Sequence, residues 1–365
     1  MDHLQFEEQT DCSCRALSYF LSDINHAKDP MMREMILRDL CWRVGDLETL
    51  ERAIVLAETC HSILPDQLRS AFSKEKLKFS EFSLLRRSKK EHRDIGIVTV
   101  IGKELEAVLT SLGRAPDDNP DEHSGEFSYW NADINRQARR PLKVVVTMIG
   151  EPRNVPCAIA LERLLNDFDL DAVIMIGIAA GPRSKTKLGD VVYADQVHDY
   201  EEYRLELVRW FGWPTLLKRK LHRPKYISTR KVVKDALERM SENRFERFFT
   251  ETLTRIPENK LPTGYKRDTK PEIHDGTIAA GEKLIADGSV EKMLRFDQRI
   301  RAVDMEDSGF AQVADFKMLP WCIFRGISDY ADPHKEKGWQ FVAALAAACA
   351  AVSFLKTTWE SPIQN

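Results

Sequence analysis

The 365-residue chain is 43% hydrophobic and 30% charged, an ordinary globular composition with room for one large domain and an appendage, or for two domains. A formal net charge of −3 excludes an overall pull toward nucleic acid or an anionic membrane, so any basic site is local and the expected partner is a small molecule. Met1 to Cys12 is polar and acidic where a signal peptide needs a basic start and an apolar run. No stretch of about 18 apolar residues is read anywhere, so a cytoplasmic chain without membrane contact is expected.

The seven cysteines are an odd, scattered set, which fits reduced thiols better than a disulfide framework. Cys12, Cys14, His26, Cys41, Cys60 and His61 lack the paired spacings of a zinc site, and no metal or other cofactor is expected.

Residues 1–88 read as a small helical module. Asp29 and Pro30 form an N-cap and first-turn pair, Gly45 and Asp46 close one helix and open the next, and Leu47, Leu50, Ile54 and Ala57 share one helical stripe. The run Arg86 to Asp94 is densely charged, so it reads as a solvated linker, with a second domain over 94–360.

Beyond it come apolar runs of strand length: Ile95 to Ile101, Val144 to Ile149, Ala172 to Ile178, Val191 to Val197 and Trp321 to Ile327. Helical patterns alternate with them at Lys103 to Leu112, Asn154 to Phe168, Glu306 to Phe316 and Trp339 to Leu355. The alternation predicts an α/β domain, a mixed or largely parallel central sheet flanked by helices, with ligands outside the carboxyl ends of the strands. Gly113 to Pro141 and Tyr200 to His274 are too long for ordinary connections and read as insertions or ligand-covering segments. The second contains a helix predicted at Val232 to Phe249, and a basic aromatic stretch that includes Arg204, Arg209, Trp210, Trp213, Lys218, Arg219, Lys220 and Lys225.

Carboxyls stand where chemistry is expected. Asp329 follows the last strand, where a partly desolvated carboxyl can hold a proton near neutral pH. Glu306 opens a helix, and Glu106 follows the first strand of the domain. By position alone each has a plainer account: Asp329 as an N-cap, Glu306 as a helix-start charge, Glu106 as a surface residue of an amphipathic helix.

Five blocks together change that balance: Ile95-Gly96-Ile97-Val98 through Glu106; Ile176-Gly177-Ile178-Ala179-Ala180-Gly181, followed by Leu188-Gly189-Asp190; Val303-Asp304-Met305-Glu306; and Arg325-Gly326-Ile327-Ser328-Asp329. From about Ile95 to Leu355 the sequence resembles the nucleoside phosphorylase and methylthioadenosine/adenosylhomocysteine nucleosidase family. The resemblance implies that fold, a homo-oligomer, and cleavage of the bond between a purine and its ribose. It implies that Asp329, beside Ser328, protonates the purine N7, that Glu306 holds the ribose hydroxyls with Met305 against the sugar, and that Arg325 pairs with a neighbouring carboxylate. Glu106 matches the carboxylate that orients water, with Glu104 close enough to leave the register open. The turn through Ile178, Ala179 and Gly181 is expected beneath the sugar, and backbone near Leu284 and Ile285 to read the base edge.

The sequence departs from the family at Asp304, one methylene shorter than the usual Glu, and at Asp307 and Ser308, where small residues are common. The loop Val100 to Glu106 offers only Lys103 for phosphate, so water is the expected nucleophile. Adenine is the leading base. Arg153 and the basic stretch favour a 5′-phosphorylated adenine nucleotide such as AMP or ATP, with methylthioadenosine/adenosylhomocysteine nucleosidase and purine nucleoside phosphorylase as alternatives. The fused module fits a regulatory partner, as in phosphorylase-like effectors of bacterial antiviral systems. A non-catalytic nucleoside sensor is the alternative of another class.

Overall fold

The computed structural model describes residues 90–359 apart from 202, 211–212, 223–224, 284–286, 288–289, 295–296 and 333–337, with backbone alone for 203–210, 213–222 and 292. The chain divides into two units, Met1–Lys90 and Glu91–Asn365. The helical module expected over 1–88 and its cysteines and histidines lie outside the described residues.

The second unit is built on a ten-stranded mixed sheet in the order β11-β10-β6-β12-β5-β1-β4-β3-β2, with β9 also pairing β6. The strands that shape the site are β1 (Glu91–Thr99), β4 (Arg139–Met148), β5 (Phe168–Ala180), β6 (Val191–Asp199), β10 (Ile273–Ala280), β11 (Ile300–Asp304) and β12 (Trp321–Asp329). Parallel pairing of β1 with β4 and β5, and of β5 with β12, brings the carboxyl ends of these strands together. At the far edge β11 curls back to meet β5 at Val303 and Ala180. The strands β5, β12, β6, β10 and β11 thereby close into a ring. The continuous apolar runs in β1, β5 and β12 are buried on both faces, as strands between two helical layers must be.

Three expectations are corrected here. The charge run does not end as a linker at Asp94, because β1 begins at Glu91. Asp94 is wholly buried, accepting from Arg140 Nη1 at 3.0 Å and from the Lys143 N–H at 2.7 Å, and these donors hold its pKa down against the opposing effect of burial. Gly113 to Pro141 is not simply an insertion: it supplies β2 (Glu122–Ser124) and β3 (Phe127–Arg136), the antiparallel edge of the sheet. The helix expected over Val232 to Phe249 is two, α3 (Lys231–Glu238) and α4 (Glu242–Leu253), because Ser241 is extended and starts the second. The remainder of the long 200–274 segment forms a separate two-stranded ribbon, β7 (Tyr203–Trp210) with β8 (Trp213–His222), and then β9 (Lys225–Ser228).

Helices α1 (Gly102–Ser111) and α7 (Trp339–Thr357) cover one face, and α2 (Asn154–Asp167) and α6 (Asp307–Phe316) the other. Helix α5 (Val290–Met293) is a single short turn. By length and composition α7 is apolar enough to cross a membrane, with a mean hydropathy of 1.5, contrary to the reading that no such stretch exists. It is 83% buried within the fold over that window, as expected of a helix that is apolar all round and surrounded by protein.

Helix α7 approaches β12 so closely that a Cβ at Gly326 would lie 1.9 Å from the Ala343 carbonyl oxygen. Backbone cannot yield as a side chain can. Gly326→Ala is therefore expected to lower unfolding stability by at least the ~1–3 kcal/mol typical of overpacking, which urea titration measures; an unchanged midpoint would contradict this packing.

Candidate active site

Arg325 lies in β12 opposite Gly177 of β5 and is completely buried. A Cβ at Gly177 would fall 2.2 Å from Arg325 Nη1 and 2.5 Å from Glu104 Oε1. Gly177 is therefore bare to admit a guanidinium and a carboxylate. Arg325 Nε donates to both oxygens of Asp307 at 3.2 Å, and Nη2 bonds Asp304 and Asp307. Glu306 Oε2 stands 3.7 Å from Nη2, and Glu104 Oε1 3.9 Å from Nη1.

Four buried carboxyls thus share one buried cation. Burial pushes Asp304 well above the usual carboxylate range, and the Asp307 charge pushes the same way. Glu306 is raised chiefly by burial, against the pull of Arg325. Burial opposes the charge on Arg325, but Asp307 and Asp304 more than offset it and hold the guanidinium protonated.

Glu104 sits at the third position of α1, with its side chain folded back onto the end of β1. Its Oε2 accepts from the Val100 N–H at 2.7 Å and the Ile101 N–H at 3.1 Å, and its Oε1 from the Ile178 N–H at 2.8 Å. Of roughly four lone-pair sites on a carboxylate, these leave about one, on Oε1. Burial raises its pKa against Arg325 and those three donors, which makes Glu104 a stronger base than an exposed carboxylate.

Glu106 does not share this place. Two residues along a helix is a rotation of about 200°, which turns Glu106 away to pair with Lys260 of the turn Glu258–Lys260. Of the two, Glu104 and not Glu106 joins Arg325. A Glu at the third position of a helix, able to cap the preceding N–H groups, is a signal the sequence already carried.

Asp329 ends β12 and is half-buried. Ser328 Oγ donates to its Oδ2 at 3.1 Å, and the Ala331 N–H to its Oδ1 at 2.8 Å. Ala331 adopts a left-handed φ of 52°, turning its N–H back toward the carboxylate. The Gly181 N–H donates to the Asp329 carbonyl at 3.0 Å, so the β5 turn and the end of β12 are locked together. Gly181 is bare because a Cβ would strike Thr186 Oγ1. Ile178 is half-buried, Ala179 is buried and Met305 is half-buried beside Glu306.

Arg153 enters through its backbone: its N–H donates to Glu306 Oε1 at 3.1 Å, while the residue is exposed. Leu284 and Ile285 lie outside the described residues. Asp190 does not line this pocket; it accepts from the Lys187 and Glu272 N–H groups at 2.8 and 3.0 Å and faces His274 Nε2 at 2.9 Å, tying β6 to β10. Position alone did not reveal Asp307 as the main partner of Arg325, because an acid at a helix start is ordinarily a dipole charge.

A mixed sheet ringed by helices, with buried carboxyls gathered at the carboxyl ends of its strands, is the architecture of purine nucleosidases and nucleoside phosphorylases. Residues 94–356 match the family model described as the phosphorylase superfamily, and the chain belongs to that family. It is 27% identical over 265 residues to the ATP nucleosidase Cap17 of Escherichia coli strain KTE188, a match covering 72% of this chain and 51% of that protein. The chain thus spans about half the length of that relative. It is 25% identical over 218 residues to the 5′-methylthioadenosine/S-adenosylhomocysteine nucleosidase of Mycobacterium bovis, covering 58% of this chain and 79% of that one. Among solved structures, the 5′-methylthioadenosine/S-adenosylhomocysteine nucleosidase of Helicobacter pylori with butyl-thio-DADMe-Immucillin-A superposes with a TM-score of 0.52 at 16% identity, covering 73% of this chain and 99% of that one. That likeness establishes the shared fold.

Proposed function

We propose that the protein hydrolyses the bond between adenine and ribose in an adenine nucleotide, with ATP the leading substrate. The observation that carries this reading is the convergence of Glu104 and Glu306 on Arg325 beside the end of β5, whose next residue, Gly181, also fastens Asp329. In this mechanism Asp329 protonates the purine N7, making the base a better leaving group while positive charge develops on the ribose. Glu306 holds the ribose hydroxyls, and Met305 packs against the sugar. Glu104 uses its remaining acceptor site to orient and deprotonate the attacking water.

Water is favoured over phosphate by charge. From Val100 to Glu106, at the start of α1, the one cation, Lys103, is exposed and donates to Gln340 at 2.7 Å, while the buried group is a carboxylate that repels an anion. The likeness to an ATP nucleosidase supports a nucleotide over methylthioadenosine. The retained acidic set argues against a non-catalytic sensor. We further propose that the protein acts as a cytoplasmic homo-oligomer, and that residues 1–88 form a regulatory module.

Basic residues supply a test of the 5′ group. Neutralising Arg153, or Arg219 with Lys220, is expected to lower kcat/KM for ATP and AMP about tenfold or more while sparing adenosine, since only the nucleotides lose a charge-assisted bond. Steady-state rates on ATP, AMP, adenosine and methylthioadenosine check this. Equal losses on all substrates would make these residues structural, and a wild-type preference for methylthioadenosine would reject a nucleotide substrate.

A further inference from the structure

We propose that Asn154 is a positioning residue that sets Glu306 for the ribose hydroxyls. The inference rests on the nucleosidase reading above and adds to it a determinant of sugar selectivity. Glu306 immediately precedes α6, with an irregular backbone at φ −124° and ψ −28°. Nothing in its own helix geometry fixes where its carboxylate points.

Two hydrogen bonds running in opposite directions do so, both between the start of α2 and the start of α6. The Arg153 N–H donates to Glu306 Oε1 at 3.1 Å, and the Gly309 N–H donates to Asn154 Oδ1 at 2.8 Å. The two helix starts are pressed so close that a Cβ at Gly309 would lie 2.1 Å from the Asn154 carbonyl oxygen. Only glycine fits there. Arg153 meanwhile holds φ 117° and ψ 161°, a region almost confined to glycine. A strained residue persists only where its surroundings over-determine it, and Asn154, the next residue, is the side chain that ties this segment to α6.

The clasp acts on Glu306 rather than on the fold at large. Asn154 grips the first turn of α6, and the neighbouring N–H grips the carboxylate that precedes this turn. The other charged groups facing Glu306 are Arg325, Asp307, Glu104 and Asp304. The backbone N–H of Arg153 is the donor nearest its Oε1, and Arg325 stands off at 3.7 Å from Oε2. Without the Asn154 anchor the 153–154 segment can retreat and carry that N–H with it. The resulting loss falls on sugar recognition and not on adenine.

The test is the ratio of kcat/KM for ATP over dATP, and for adenosine over 2′-deoxyadenosine, in the full chain. Asn154→Ala is expected to shrink the preference for the ribose substrate about tenfold, the scale of one hydrogen bond to a charged group. Asn154→Asp, which keeps an acceptor for the Gly309 N–H, is expected to restore it. Should the alanine variant not fold, Asn154→Ser, whose hydroxyl is too short to span the gap, gives the same reading. Parallel losses on ribose and deoxyribose substrates, or an unchanged ratio, would overturn the proposal while leaving the nucleosidase reading intact. Failure of the wild-type protein to cleave any of the four would instead overturn the nucleosidase reading itself.

Discussion

Asp329→Asn is expected to abolish glycosidic cleavage, with a loss of about 10²–10⁴-fold if general acid catalysis alone is removed, while the protein still folds. The amide keeps the size of the carboxyl and can still accept from Ser328 Oγ or the Ala331 N–H. What it lacks is a proton of suitable acidity for N7. Since Asp329 is half-buried at a strand end, outside the Arg325 ion cluster, exchange there leaves the buried charges balanced. Turnover on ATP and adenosine, measured beside a thermal melt, separates chemistry from folding. Unchanged turnover would remove Asp329 from the mechanism.

Much of this site was legible in the sequence because it lies on rigid elements. The runs that became β1, β5 and β12 are apolar and short, and the residues just after them had to stand at the carboxyl ends of a sheet. Arg325 and Glu306 followed from the resemblance of their motifs to those of the family. What escaped depends on side-chain direction. The difference between Glu104 and Glu106 is half a turn of helix, which no composition reveals. Asp307 looks in the sequence like a common helix-start acid and proves to accept more hydrogen bonds from the buried Arg325 than any other carboxyl described. The strands β10 and β11 interleave polar residues with apolar ones, as in Ile273-His274-Asp275-Gly276 and Ile300-Arg301, so they did not read as runs. Asp94 misled because a carboxylate in a charged stretch is usually solvated, whereas Arg140, distant in sequence, makes its burial tolerable.

Glu104→Gln is expected to lose turnover on the same scale, about 10²–10⁴-fold, and to lose stability too. The carboxylate receives N–H groups at both oxygens. An amide satisfies one side and turns its own NH₂ toward a donor on the other, leaving a buried group unpaired at a cost of about 1–3 kcal/mol. Glu106→Gln is expected to keep near-normal turnover, since its partner is Lys260 and not the pocket. Assaying both at a temperature where each is fully folded decides between them. A dead Glu106→Gln beside an active Glu104→Gln would reverse the assignment of the water-orienting base.

Chromatography of the products tells directly whether this pocket uses water to part adenine from its ribose. The wild-type protein is incubated with ATP and, separately, adenosine, in buffer with and without inorganic phosphate. Hydrolysis yields free adenine equally under both conditions, accompanied by a sugar carrying a hydroxyl at C1. A sugar 1-phosphate formed only when phosphate is present would contradict hydrolysis, and an intact bond between base and ribose under all conditions would contradict the proposed function.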